Sequence, residues 1–207
     1  MKAQAILATG GTGERMKASL PKPLIDLAGK PVVLWTLEVF ERAEAVDSIV
    51  LIVHEDYRKA YEALIVRAGL RKVRAVVNGG ETRTQSVRNG LAALDNDTDV
   101  VLVHDGVRPL VTEDIIDRGI ALVKSEKAVI AAVPVKPTIK VADPRTREVT
   151  ETLDRDLLWE IQTPQIFERA LLERAYREDR AGATDDAALV EALGVKVRIF
   201  LGDYRNI

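Results

Sequence analysis

Apolar residues along this chain gather into short continuous runs, and longer stretches of helical spacing separate them. The runs at 4–8, 48–53, 73–77, 100–104, 129–133 and 195–201 predict β-strands. Segments 32–43, 57–68, 84–94, 113–124, 169–177 and 185–193 repeat apolar positions three and four apart, the spacing of one helix face. Strands that alternate with helices predict βαβ units with right-handed crossovers, hence an α/β fold with a mostly parallel sheet flanked by helices. VVLVH and AVIAAV are apolar throughout rather than alternating, which suits strands covered on both faces.

One stretch breaks the rhythm. Between 134 and 155, two β-prone runs (138–141 and 148–152) flank the polar turn ADPRTR and predict a hairpin projecting from the sheet. A lone two-stranded hairpin is marginal in water, so this one needs a surface to pack on: a second subunit or, alternatively, its own domain. With 207 residues, 47% of them hydrophobic, the chain suffices for one substantial core. It reads as a single domain over 1–207, with 134–155 as a β-hairpin arm for dimerisation.

Charge narrows the class of partner. Thirty basic and 32 acidic residues leave a net charge of -2, so no global field favours nucleic acid or an anionic membrane, and any anion site must be local. The absence of cysteine excludes disulfides and thiolate metal sites and fits a reducing compartment. No secretory pattern opens the chain and no apolar run approaches the roughly 20 residues that span a bilayer. A soluble, cytoplasmic protein is expected. With only His54 and His104, and with neither GxSxG nor HExxH, hydrolytic triads and histidine-held metals fit poorly.

The chemistry concentrates in polar turns. In LATGGTGERMKASLPK, residues 7–22, a strand runs into Gly10, Gly11, Thr12 and Gly13, where backbone N–H groups can converge on an anion without an intervening Cβ. The pattern is neither Walker A, which requires Lys-Ser or Lys-Thr, nor GxGxxG, whose third glycine is here Met16. It delivers Arg15 and Lys22, a planar fork and a movable point charge, and so predicts a polyphosphate cradle; the alternative is a glycine-rich turn with two solvated cations. A second turn, Gly79-Gly80-Glu81-Thr82-Arg83, leads into Thr84-Gln85-Ser86 at a helix start. It offers donors and acceptors to a ribose or base edge, or else is an ordinary capped turn.

In His104-Asp105-Gly106-Val107-Arg108-Pro109, the carboxylate at a strand end suits Mg²⁺, which bridges one or two carboxylates to substrate phosphates. Asp105 is the candidate metal ligand and Arg108 a second phosphate contact; an internal Asp105–Arg108 ion pair is the equal alternative. His104 reads as a packed structural residue. Leu153-Asp154-Arg155 precedes the polar string Gln162-Thr163-Pro164-Gln165, and Thr184-Asp185-Asp186 reads as a helix start with Thr184 as its N-cap. Trp35 and Trp159 read as core.

Taken together, GGTGERM with LPK, GGETRTQSVRNGL, HDGVRP, PVKPTIK, LDRDLLWEIQTPQ, TDDA and GDYRNI resemble the 2-C-methyl-D-erythritol 4-phosphate cytidylyltransferase family of the non-mevalonate isoprenoid pathway. The resemblance runs from about residue 3 to 207 and implies a Rossmann-like, glycosyltransferase-A-like nucleotidyltransferase. It implies that an oxygen of the methylerythritol phosphate attacks the α-phosphorus of CTP while pyrophosphate leaves. Arg15, Lys22 and Arg155 would be catalytic. Gly10, Gly11, Thr12, Gly13, Gly80, Glu81, Arg83 and Ser86 would bind nucleotide, and Asp105 would hold Mg²⁺ or orient the phosphates. In the family the hairpin crosses to a partner subunit, so Thr138 and Arg155 would bind the sugar phosphate of the neighbouring site in a homodimer. Arg108, Thr163 and Thr184 would complete that pocket. Three departures stand out: Pro23 follows Lys22 where the family has Gln, Pro137 precedes Thr138 where it has Asp, and the family pattern continues past Asn-Ile into a phosphate-reaching lysine. Competing expectations are a ribitol 5-phosphate cytidylyltransferase and a non-catalytic nucleotide-binding relative.

Overall fold

A computed structural model describes residues 1–9, 20–178 and 183–207. Its centre is a seven-stranded sheet built from β1 (Ala3–Ala8), β4 (Ser48–Val53), β5 (Val73–Asn78), β6 (Val100–Asp105), β7 (Ala128–Pro134), β10 (Trp159–Glu168) and β11 (Arg198–Leu201). The spatial order is β11-β7-β10-β6-β1-β4-β5. Only β10 runs against its neighbours; β1 pairs in parallel with both β4 and β6. A minor ladder, β2 (Asp26–Leu27) with β3 (Lys30–Pro31), precedes the first helix.

The expected strand 48–53 matches β4 at both ends and the others differ mainly at their ends, but β10 departs from expectation. Its first half is polar and it contains Pro164, a residue normally kept out of central strands because it cannot donate to the ladder. Here the register with β7 shifts between Ile161 and Gln165, so the proline falls at an irregularity rather than within continuous pairing.

Strand alternation divides the core. Ala3, Ala5 and Leu7 of β1, with Ile49, Leu51 and Val53 of β4, face one side, where they meet α1 (Val32–Arg42), α2 (Arg58–Ala68) and α4 (Glu113–Glu126). Ile6, Val50, Ile52, Val101 and Val103 face the other, under α3 (Arg83–Ala92), α5 (Arg169–Arg177) and α6 (Asp186–Glu191). Both faces of the sheet are thus dry, as the uninterrupted apolar runs required. Thr112 caps α4, with Glu113 and Asp114 in its first turn favouring the helix dipole.

The hairpin forms as β8 (Lys140–Ala142) against β9 (Val149–Thr152), a separate antiparallel ladder in which every residue is exposed. Asp143 opens its turn by accepting from the backbone N–H of Thr146 and Arg145, which holds its carboxyl below the usual carboxylate range. Val141, Val149, Leu157 and Trp159 are exposed around it. Trp159, expected in the core, therefore lies at the surface beside the arm, 40% exposed. Among the described residues no helix is long and apolar enough to cross a membrane.

Candidate active site

The chain leaves β1 toward β4 on one side and returns to pair with β6 on the other. Such a reversal of strand order opens a crevice at the carboxyl ends of the strands, where α/β sheets bind ligands. Ala8 stands opposite both Ile52 and Asp105, Gly106 N donates to Ala8 O at 2.9 Å, and Gly79 N donates to Val53 O at 2.8 Å. The ends of β1, β4, β5 and β6 therefore share one edge. A Cβ on Gly106 would come within 2.3 Å of Thr9 Cγ2, so only glycine allows the two loops this approach. The first glycine turn, with Gly10, Gly11, Thr12, Gly13 and Arg15, lies outside the described residues.

Asp105 is held from several directions. Arg108 Nε donates to its Oδ2 at 2.9 Å, so the internal ion pair is formed; Arg108 Nη1 donates to Asn206 O at 2.9 Å. Among the described residues Oδ1 accepts no hydrogen bond, and the Asp105 side chain is 32% exposed. Asp105 N donates to Thr163 Oγ1 at 3.1 Å, and that hydroxyl lies 2.9 Å from His104 Nδ1. Thr163, expected in the acceptor pocket, is buried, and its hydroxyl joins β10 to the end of β6. His104 is fully buried, 5.1 Å from the Phe40 ring, and burial pushes its pKa down to about 4 against the opposing pull of the Asp105 charge. A neutral, enclosed imidazole is the structural residue the sequence suggests.

At the second glycine turn, Ser86 is buried: its hydroxyl accepts from Gly80 N at 2.9 Å and donates to Thr82 O at 2.9 Å. Thr82 caps α3 by accepting from Gln85 N at 3.0 Å, and Glu81 is exposed. Ser86 accordingly shapes the turn that presents Gly80. Arg83, the first residue of α3, donates through both terminal nitrogens to Asp186, at 3.0 and 2.6 Å.

Lys22 opens a short 3-10 turn, Lys22–Leu24, ahead of α1, and its exposed ammonium group has no partner among the described residues. Thr36 of α1 donates to Gly106 O at 3.2 Å, linking that helix to the β6 loop. Thr138 and Arg155 lie at the base of the arm, where Leu153 N donates to Ile139 O and Arg155 Nη1 donates to Lys136 O at 3.1 Å; both side chains are exposed. Among the described residues no hydrogen bond or ion pair joins either to Lys22, Asp105 or Arg83. Thr184 is exposed too, but it does not cap α6: Asp185 does, accepting from Ala188 N at 2.9 Å. An aspartate satisfies that orphan N–H as well as a threonine, which is why the assignment slips by one residue.

The profile of the 2-C-methyl-D-erythritol 4-phosphate cytidylyltransferases matches residues 3–207. The chain belongs to this family. An Alkaliphilus metalliredigens cytidylyltransferase of that description is 45% identical over all of this chain and 87% of its own length, and one from Geobacter metallireducens is 44% identical over 98% and 90%. The crystal structure of 4-diphosphocytidyl-2C-methyl-D-erythritol synthase from Anaerococcus prevotii superposes with a TM-score of 0.87 at 32% identity, covering all of this chain and 89% of that one. The Francisella tularensis 2-C-methyl-D-erythritol 4-phosphate cytidylyltransferase gives 0.82 at 29% identity, with 100% and 93% covered.

Within this cytidylyltransferase several working residues escape a reading of letters. Gln162 donates to Asp203 O at 2.8 Å, and Asn206, fully buried, donates to Thr163 O at 2.8 Å; together they dock the last turn beneath Arg108. Gln165 donates to Asp185 Oδ2 at 2.8 Å and accepts from Ala187 N at 3.0 Å, holding the start of α6. Asp186 is completely buried although the sequence suggests only a dipole-favouring acid. One signal was present: Asp186, Leu189 and Val190 lie three and four apart, so the aspartate shares the apolar face of α6.

Proposed function

We propose that this cytidylyltransferase joins CTP to 2-C-methyl-D-erythritol 4-phosphate. A phosphate oxygen of the acceptor attacks the α-phosphorus of CTP, the new P–O bond forms as the bond to the bridging oxygen breaks, and pyrophosphate leaves. The observation that carries this reading is the shared strand edge: the family's HDGVRP and GGETRTQS segments lie at the edge where β1 also ends, around a strand-order reversal.

Such chemistry depends on charge neutralisation and in-line positioning more than on covalent work by the protein. Lys22, with Arg15 seven positions before it in sequence, neutralises the triphosphate and the departing pyrophosphate. Gly80 and Arg83, on the turn organised by Ser86, flank the nucleoside, and Glu81 lies beside them. Asp105 offers Mg²⁺ a strand-end carboxylate with one oxygen open, which fits an ion that completes its shell with substrate phosphates and water rather than a protein cage. Asp105 would hold it, and a divalent ion there would supply positive charge to offset the triphosphate. Arg108 and Thr184 contribute to the acceptor side.

Thr138 and Arg155 enter the reading through a second copy of the chain. Val141, Val149, Leu157 and Trp159 leave apolar surface uncovered around the arm, the kind of patch that marks an interface. A homodimer covers it and brings Thr138 and Arg155 to the neighbour's acceptor phosphate.

Pyrophosphate release with CTP, Mg²⁺ and each polyol phosphate tests the assignment. Turnover is expected with 2-C-methyl-D-erythritol 4-phosphate. CTP binding without turnover on any acceptor, or a preference for ribitol 5-phosphate, overturns it.

A further inference from the structure

Asp186 is the only fully buried carboxylate among the described residues, and it accepts hydrogen bonds from two distant parts of the chain. Arg83 Nη1 donates to Oδ1 at 3.0 Å and Nη2 to Oδ2 at 2.6 Å, the paired fork geometry that fixes a guanidinium in a plane. The Tyr176 hydroxyl donates to Oδ1 as well. Gln165, in the sheet, holds the residues on either side of Asp186 through Asp185 Oδ2 and Ala187 N. The carboxylate is therefore anchored from α5 and β10 and grips the first residue of α3.

Stability alone is a weak reason for such a pair, because well-packed apolar residues of similar volume often serve as well or better. Orientation is the stronger reason. A guanidinium carries five N–H donors, Asp186 engages one on each terminal nitrogen, and the Arg83 side chain remains 36% exposed at the helix start that carries the second glycine turn. Burial works against the Arg83 charge, but Asp186 more than offsets it and keeps the pKa above the ordinary arginine value.

We propose that Asp186 is a positioning residue for the nucleotide: it fixes the Arg83 fork from beneath, so that the outward N–H groups are preset donors to CTP. The inference rests on the cytidylyltransferase reading of the site. Its consequence is that Asp186, which CTP never touches, governs CTP affinity through Arg83 rather than through the fold at large.

Calorimetric titration with CTP, together with steady-state kinetics, on the full chain carrying Asp186→Asn, Arg83→Lys or both tests this. Asp186→Asn is expected to weaken CTP binding and raise its KM by about tenfold or more while the KM for the polyol phosphate moves less than about threefold. The double variant should be no worse than Arg83→Lys alone, because the two residues act as one unit. Wild-type CTP affinity in folded Asp186→Asn, or losses that simply multiply in the double variant, overturns the inference. Should Asp186→Asn not fold, Arg83→Lys decides: it keeps a cation opposite the buried carboxylate but loses the fork, and unchanged CTP binding there refutes the proposal. A wild-type protein that transfers no cytidylyl group overturns the reading of the site instead, so the two failures are distinct.

Discussion

Lys22 is the residue whose removal separates chemistry from folding most cleanly. It is exposed and unpartnered among the described residues, so Lys22→Ala should leave stability within about 0.5 kcal/mol, the range of ordinary surface changes. Loss of one preorganised charge at a transferring phosphoryl group should lower turnover on the order of a hundredfold or more. Paired melting and pyrophosphate-release measurements check this; a large drop in Tm with near-normal turnover contradicts it. His104 supplies the opposite kind of test. Its folded pKa near 4 lies below the usual 6.5, so as pH falls the unfolded chain takes up the proton first. The contribution of the neutral ring is complete above 6.5 and is lost as pH falls to about 4, a change of order 3 kcal/mol. Urea unfolding across that window should show a flatter pH slope for His104→Gln than for wild type; identical slopes would refute the assignment. Lys22 and His104 were legible because residue type and neighbours suffice to suggest their states. Thr163 and Asp186 were not, because their roles depend on partners 59 and 103 positions away.

Among the elements, α3 shows how packing sets up the site. A Cβ on Gly90 would approach Ile6 Cγ2 to 2.8 Å and Ile52 Cδ1 to 3.1 Å, so the glycine lets the helix lie close on β1 and β4 and fixes where Thr82, Arg83 and Ser86 stand. Gly90→Ala gains up to about 1 kcal/mol of helix propensity but overpacks a dry interface, which typically costs about 1–3 kcal/mol. Net destabilisation of about 1 kcal/mol is expected in denaturant titration, with CTP affinity reduced as well; a stabilised protein would show that the helix has room. The strands were readable wherever burial on both faces gave them an unbroken apolar run, as in β4 and β6. β10 was not, because Gln162, Thr163 and Gln165 are polar yet buried, satisfied by side-chain bonds to three separate segments that no local pattern announces.

At the scale of the whole molecule, the sheet gathers the strand ends while the arm stands clear of them. Deleting the arm between 138 and 153, or introducing Val141→Asp with Val149→Asp, should yield a monomer in sedimentation velocity with little or no cytidylyl transfer. An active monomer would remove the arm from the reaction. The alternation of strands and helices made the α/β class legible in advance, and the break in that alternation made the hairpin so. The order β11-β7-β10-β6-β1-β4-β5 was not, since it follows from which edges meet in space. β10 also bears on how variants of this protein should be scored. Within four residues it clamps the terminal turn, the tip of β6 and the root of α6, so substitutions there will abolish turnover merely by emptying the folded pool. A mutational survey ranked by product alone would crown this strand as the seat of catalysis; only a parallel count of intact protein per variant would tell carpentry from chemistry.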